Sequence, residues 1–226
     1  MTATGDGAGA PSERTLVRRY SWLAKYDRDT IYAILDAALV CQIAYVIDGQ
    51  PYVTPTNFWR IGNHVHWHGS AASRMLRGQQ KSIPICFSVT HLDGIVIARS
   101  AFNHNVNFRS VMALGVAELL GEQDKRAALQ AFSDRLMPGL WQHARAPTEK
   151  EWRVTSVLRM SLDEVSAKVR SGPPIDDAED YALDSWAGVI PIRTLTGEVE
   201  RDPQLRAGIE TPAFVTTFAA AGLAAR

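Results

Sequence analysis

Only two cysteines, Cys41 and Cys86, occur among the 226 residues, and neither stands in a CxxC or other zinc-type spacing. A cysteine-built metal site is thereby excluded, and a disulfide scaffold is disfavoured. Both cysteines sit in apolar runs (Leu-Val-Cys-Gln-Ile and Pro-Ile-Cys-Phe-Ser), as buried free thiols do in a reducing compartment. Net charge is missing too, because 24 Lys and Arg balance 24 Asp and Glu. No global field therefore recommends a nucleic acid or an anionic membrane as partner. No apolar run approaches the length of a bilayer span, and the Gly/Ala/Pro/Thr-rich start lacks a signal peptide's apolar core. A cytoplasmic protein is expected. There is no GxGxxG after a strand, no Walker sequence, no G-x-S-x-G elbow and no internal repeat. Doubly wound nucleotide folds and serine-hydrolase chemistry are disfavoured accordingly.

What remains is an ordinary globular composition, 46% hydrophobic and 21% charged, enough for one domain with appended segments. Residues 1–13 read as disordered, and residues 1–25 as a basic N-terminal segment whose Arg14, Arg18, Arg19 and Lys25 surround apolar residues laid over the body. Asp27 can cap a helix running to about Ala38. Three consecutive strands follow: residues 40–47, residues 52–59 after the turn Asp48-Gly49, and residues 64–68. A short helix is expected over 71–77, then a hairpin of residues 83–91 and 94–100 around Leu92-Asp93-Gly94, and a strand over 111–120. A helix over 123–136 stops at Pro138-Gly139, Thr148 to Glu151 forms a capping box, and the last strands are 155–162 and 164–170. Strands joined by tight turns predict a mainly β, antiparallel barrel with peripheral helices.

The stretch from His64 to Arg77 carries the most chemistry. Alternation puts His64, His66 and His68 on one strand face, and Val65 and Trp67 on the other. Gly69 then acts as a joint and Ser70 as a helix cap, with Ser73, Arg74 and Arg77 on the first turns. Hydroxyls and guanidinium groups gathered there suit a phosphate. The paired histidines have the i, i+2 spacing that can chelate a metal, but no third ligand is evident and no metal is expected. Residues 100–110, rich in asparagine, suit either a ligand of carbonyls and ring nitrogens or a surface loop.

Several ordered motifs resemble one family. They are Gly49-Gln50-Pro51-Tyr52-Val53-Thr54-Pro55-Thr56, His68-Gly69-Ser70-Ala71-Ala72-Ser73-Arg74, Asn107-Phe108-Arg109-Ser110-Val111 and Trp186-Ala187-Gly188-Val189-Ile190-Pro191. The chain resembles the pyridoxamine 5′-phosphate oxidase-related, FMN-binding split barrels, in their nitroimidazole-resistance branch, over about residues 26–194, with 195–226 as a C-terminal extension. The resemblance implies a six-stranded split barrel, a homodimer with the cofactor at the subunit interface, and a small-molecule substrate. It implies FMN contacts from Val53, Thr54, Pro55 and Thr56, from His68, Gly69 and Ser70, and from Ser73, Arg74 and Arg77. Asn107, Phe108, Arg109, Ser110, Lys168 and Arg170 are implied to contact the flavin across the interface. Met75 stands where the oxidases carry a phosphate-binding lysine, and the basic C-terminal signature for pyridoxal phosphate is missing, so vitamin B6 oxidation is not expected. The implied activity is FMN-dependent reduction of nitroimidazole-like, other nitro-aromatic or quinone-like acceptors, with His68 orienting the flavin or donating a proton. A deazaflavin or haem in place of FMN is the alternative, with His64, His66, His68 or His104 as axial ligand, as is a non-catalytic flavin-binding module.

Overall fold

The computed structural model describes residues 9–221. Strand β1 is Ala24–Lys25 and helix α1 is Arg28–Asp36, which Asp27 starts by accepting a hydrogen bond from Thr30 N at 2.8 Å. Ile31, Ile34 and Leu35 form the buried stripe of α1. Strand β2 (Val40–Ile47) buries Cys41, Ile43 and Tyr45 in strict alternation. Asp48 and Gly49 both take positive φ (51° and 78°), the primed turn that matches strand twist, so Ile47 faces Gln50 at the start of β3, Gln50–Ile61. Strand β3 is long enough to serve two partners, β2 through residues 50–57 and β4 (His64–Ser70) through residues 58–61.

Helix α2 (Arg74–Gln79) follows β4, and then come β5 (Pro84–Ile97), β6 (Asn105–Val116) and the short β7 (Glu118–Leu119). Three helices, α3 (Glu122–Leu136), α4 (Leu140–His143) and α5 (Glu149–Val154), lead to β8 (Thr155–Ser161) and β9 (Val165–Arg170). The Thr148–Glu151 capping box is present at the start of α5. Strand β10 (Gly188–Pro191) and helix α6 (Ala213–Ala221) complete the elements. All pairings are antiparallel, in the order β1-β9-β6-β5-β2-β3-β4-β8-β7, with β10 beside the second half of β5. The fold is a split barrel whose sheet does not close. Its main core gathers Trp67, Phe58, Phe87, Leu35 and their neighbours, while a second, smaller cluster of Trp59, Leu120, Ala128 and Val157 lies against Leu129 and Phe132 of α3. Among the described residues no helix is long and apolar enough to cross a membrane.

Three local expectations are corrected. The sheet has ten strands and not six, because short segments at both ends and β10 add pairings that no periodicity announces. Residues 84–97 form one strand and not a hairpin: both halves pair with β6, and the register shift between Leu92 and Gly94 is a bulge held by two 2.8 Å hydrogen bonds from Arg109 to the Asp93 carboxylate. The residue before α2 is Ser73, not Ser70, whose hydroxyl instead accepts from Ala72 N at 3.2 Å. Of residues 1–13, expected to be disordered, residues 1–8 lie outside the described residues, and in the remainder Ser12 hydrogen-bonds Glu164. Both cysteines are free; Cys41 is buried, which pushes its thiol up to about 12.

Candidate functional site

Two clefts flank the strand β4 and the helix that follows it. The first, about 340 Å³, is lined by Ile47, Ala72, Arg74, Arg77, Gly78 and Lys81. Its shape depends on two close approaches. A Cβ on Gly78 would stand 2.8 Å from Ile47 Cδ1, and one on Gly69 would stand 2.7 Å from Leu76 Cδ1. Arg74 lies over the Tyr52 ring at 4.4 Å, and Tyr52 stacks on Tyr45, whose hydroxyl meets Thr54 Oγ1 at 3.1 Å. Arg77 donates to the Ala72 carbonyl from Nε (3.0 Å) and Nη2 (2.6 Å). Among the described residues none of Arg74, Arg77 and Lys81 has a carboxylate partner within 4.0 Å. Three uncompensated cations in one cleft attract a multiply charged anion. Met75 packs in the main core, so the position where the oxidases carry lysine does not face this cleft. Lys81, which sequence reasoning missed, lines it instead, from just beyond the end of α2.

The second cleft, about 420 Å³, opens on the other side of β4. It is lined by His68, by Leu129, Phe132 and Ser133 of α3, by Trp141 of α4, and by Arg145, Pro147, Glu151, Trp152 and Thr155. The β4 alternation creates it: Val65 and Trp67 turn into the main core, leaving His66 and His68 against Trp59 and α3. Phe132 lies 4.9 Å from both the His68 and the Trp59 rings. His68 Nδ1 is buried with no hydrogen-bond partner among the described residues, as are His66 Nδ1 and Trp59 Nε1. Burial pushes the His68 imidazole below its ordinary value, and it takes His66 down to about 4, helped by the charges of His64 and Arg159. Both rings are therefore neutral at pH 7. At the cleft mouth Arg145 grips Glu151 through two hydrogen bonds, 2.9 Å from Nη1 and 2.6 Å from Nη2. With the Thr148 backbone and hydroxyl also bonded to it, the Glu151 carboxyl is held down to about 2.

The remaining residues named from sequence fall into a third group. Thr54 and Thr56 are half-buried on β3, and Val53 and Pro55 are exposed on its opposite face. On β6 and β9, Arg170 bonds Asn107, whose amide donates to Gly172 O at 3.0 Å. Phe108 stands opposite Arg170, Ser110 opposite Lys168, and Lys168 Nζ donates to Arg19 O at 3.2 Å. None of these residues lines either cleft. His104 accepts from Ala98 N at 3.0 Å, and His64 and His66 lie with ring centres 6.4 Å apart. Among the described residues no group of three or more His, Cys, Asp or Glu is placed to hold a metal ion.

A family model described as pyridoxamine 5′-phosphate oxidase matches residues 27–169. Among solved structures, the flavocytochrome Anf3 from Azotobacter vinelandii is 49% identical over 93% of this chain and 99% of its own, with a TM-score of 0.90. A FAD and haem binding protein from Mycobacterium smegmatis is 36% identical over 86% of this chain and 96% of its own, with a TM-score of 0.83. A protein ascribed to 5-nitroimidazole antibiotic resistance from Bacteroides thetaiotaomicron is 20% identical over 65% of this chain and 86% of its own, with a TM-score of 0.54, a likeness of fold alone. No curated protein sequence matches.

Proposed function

This chain belongs to the pyridoxamine 5′-phosphate oxidase-like family, and from that premise we propose that it is an electron-transferring protein holding a flavin in the Arg74 cleft and a haem at His68. The observation that carries the second half is the His68 imidazole: neutral, with Nδ1 buried and unpartnered, at the wall of an aromatic cleft. A neutral imidazole is the form that ligates iron, and Phe132, Trp141 and Trp152 are apolar walls suited to a porphyrin. Of the other histidines, His104 already spends a ring nitrogen on Ala98, and His66 is only 5% exposed beneath Trp59. The two relatives of highest identity given above, one a flavocytochrome and the other a FAD and haem binder, support the same assignment. For the flavin, Arg74, Arg77 and Lys81 fit a phosphate or pyrophosphate, so FMN and FAD both suit the charge of the cleft. When bound, a flavin exchanges electrons in pairs or singly and a haem iron singly, which gives the protein its redox chemistry. The chain's own residues bind the anionic groups, exclude water from the His68 ring and keep that ring unprotonated.

His68 is assigned to iron and not to proton donation, since it shares no cleft with Arg74. Nothing in the lining of either cleft selects a nitro group, and the reaction class, oxidoreduction, implies no particular acceptor. Mass spectrometry of small molecules released from the purified protein is expected to find a flavin and protohaem together; a flavin alone contradicts the assignment of His68.

The partner is proposed to be a second copy of the chain, with the β6–β9 ladder adding to the flavin site across the interface. Exposed Phe102, Ile175, Tyr181 and Trp186 lie on the β5–β6 turn and on the segment whose Asp176 binds the Arg99 and Ser100 backbone. Sedimentation at micromolar concentration is expected to give twice the chain mass; a monomer with full flavin occupancy removes the proposal.

A further inference from the structure

We propose that Arg145 is a carboxylate-binding fork at the mouth of the His68 cleft, reserved for an acid group carried by whatever ligand His68 holds. The inference rests on the haem assignment above and deepens it. A guanidinium has five N–H donors and two usable edges. In Arg145 the end edge is spent: Nη1 gives one hydrogen to Glu151 Oε2 and another, at 3.0 Å, to the Ala146 carbonyl, and Nη2 gives one to Glu151 Oε1. The side edge, formed by Nε–H and the second Nη2 hydrogen, has no partner among the described residues.

Glu151 is not a rival for that edge. It is itself fixed by the capping box, where its Oε2 accepts from Thr148 N at 2.7 Å, and it remains ionised well below neutral pH. It therefore works as the positioning group, holding the guanidinium plane while the side edge is left for a second carboxylate. An arginine can serve two carboxylates in this way, one on each edge. Among the cleft-lining residues Arg145 is the only cation. An apolar planar ligand that carries carboxylates and enters beside Phe132 and Trp152 meets this fork at the rim. Haem, with its two propionates, is such a ligand.

The test compares hemin with hemin dimethyl ester, which has the same ring and iron but no free carboxylate. Binding to the haem-depleted full-length protein is followed by the Soret absorbance. Arg145→Leu is expected to weaken hemin about tenfold and to leave the ester unchanged, with Arg145→Lys in between because it keeps the charge and loses the fork. Equal effects on hemin and ester, or no effect on either, overturn the inference. His68→Ala distinguishes the two levels: if it leaves hemin affinity intact, the assignment of His68 fails and the fork falls with it. If His68→Ala abolishes binding while Arg145→Leu does not discriminate between the two probes, only the fork is lost.

Discussion

Lowering the pH from 7 to 4 is expected to destabilise the haem-free fold by roughly 3 kcal/mol through His66 alone, on a pKa displaced from 6.5 to about 4. Burial is the main cause: the ring is 5% exposed and stacks on Trp59 at 5.8 Å. The folded value lies below the unfolded one, so the folded state resists protonation. Between the two values the unfolded chain takes up a proton that the folded chain does not, and stability falls with falling pH throughout that window. Above it both states are neutral, and below it both are charged. Urea unfolding of wild type and His66→Phe at pH 7.5, 5.5 and 4.5 measures the effect. The variant is expected to lie within about 1 kcal/mol of wild type at pH 7.5, since an aromatic of similar size replaces a ring with an unpartnered nitrogen, and to lose less stability on acidification. Parallel losses in the two proteins place the acid sensitivity elsewhere.

Reversing the charge of the first cleft is the other large effect. Arg74→Glu with Arg77→Glu is expected to weaken flavin binding by a factor of at least about one hundred, because two charge-assisted phosphate contacts become repulsions. Both side chains lie at the surface, each in a contact that is peripheral to the core, Arg74 over Tyr52 and Arg77 on the Ala72 carbonyl. Circular dichroism and melting temperature are therefore expected to change little. Equilibrium dialysis against FMN and FAD gives the affinities, and Lys81→Glu alone is expected to produce a smaller loss of the same sign. Wild-type affinity in the double variant removes this cleft from the account.

The parts of this protein that local chemistry governs were legible in its sequence. The β2–β3–β4 meander follows from alternation and from Asp48-Gly49, and the faces of β4 fall as period two requires, with Val65 and Trp67 inside. The capping residue Asp27 and the Thr148 box are equally local. What escaped depends on distant partners. Asp93-Gly94 has the composition of a turn, yet Arg109 on the neighbouring strand neutralises Asp93, and the chain runs on through a bulge. Gly94 also lies under β10, where a Cβ would stand 3.0 Å from Ile190 O, so its small size serves packing and not turning. The walls of the His68 cleft come from Phe132, Trp141 and Trp152, far along the chain, and only the packing of α3, α4 and α5 brings them to β4. The role of His68 as a flavin neighbour came from the family resemblance and not from these walls, which local chemistry does not announce. Lys81 escaped because it lies just beyond α2, where helical spacing no longer announces a shared face.

The central claim is that two separate clefts hold two different redox groups. The absorbance spectrum of the purified protein, recorded beside those of His68→Ala and of Arg74→Glu with Arg77→Glu, tests it most directly. A Soret band with flavin bands is expected in the wild type, loss of the Soret band alone in the first variant, and loss of the flavin bands alone in the second. A wild-type spectrum without a Soret band, or a Soret band that survives His68→Ala, would contradict it.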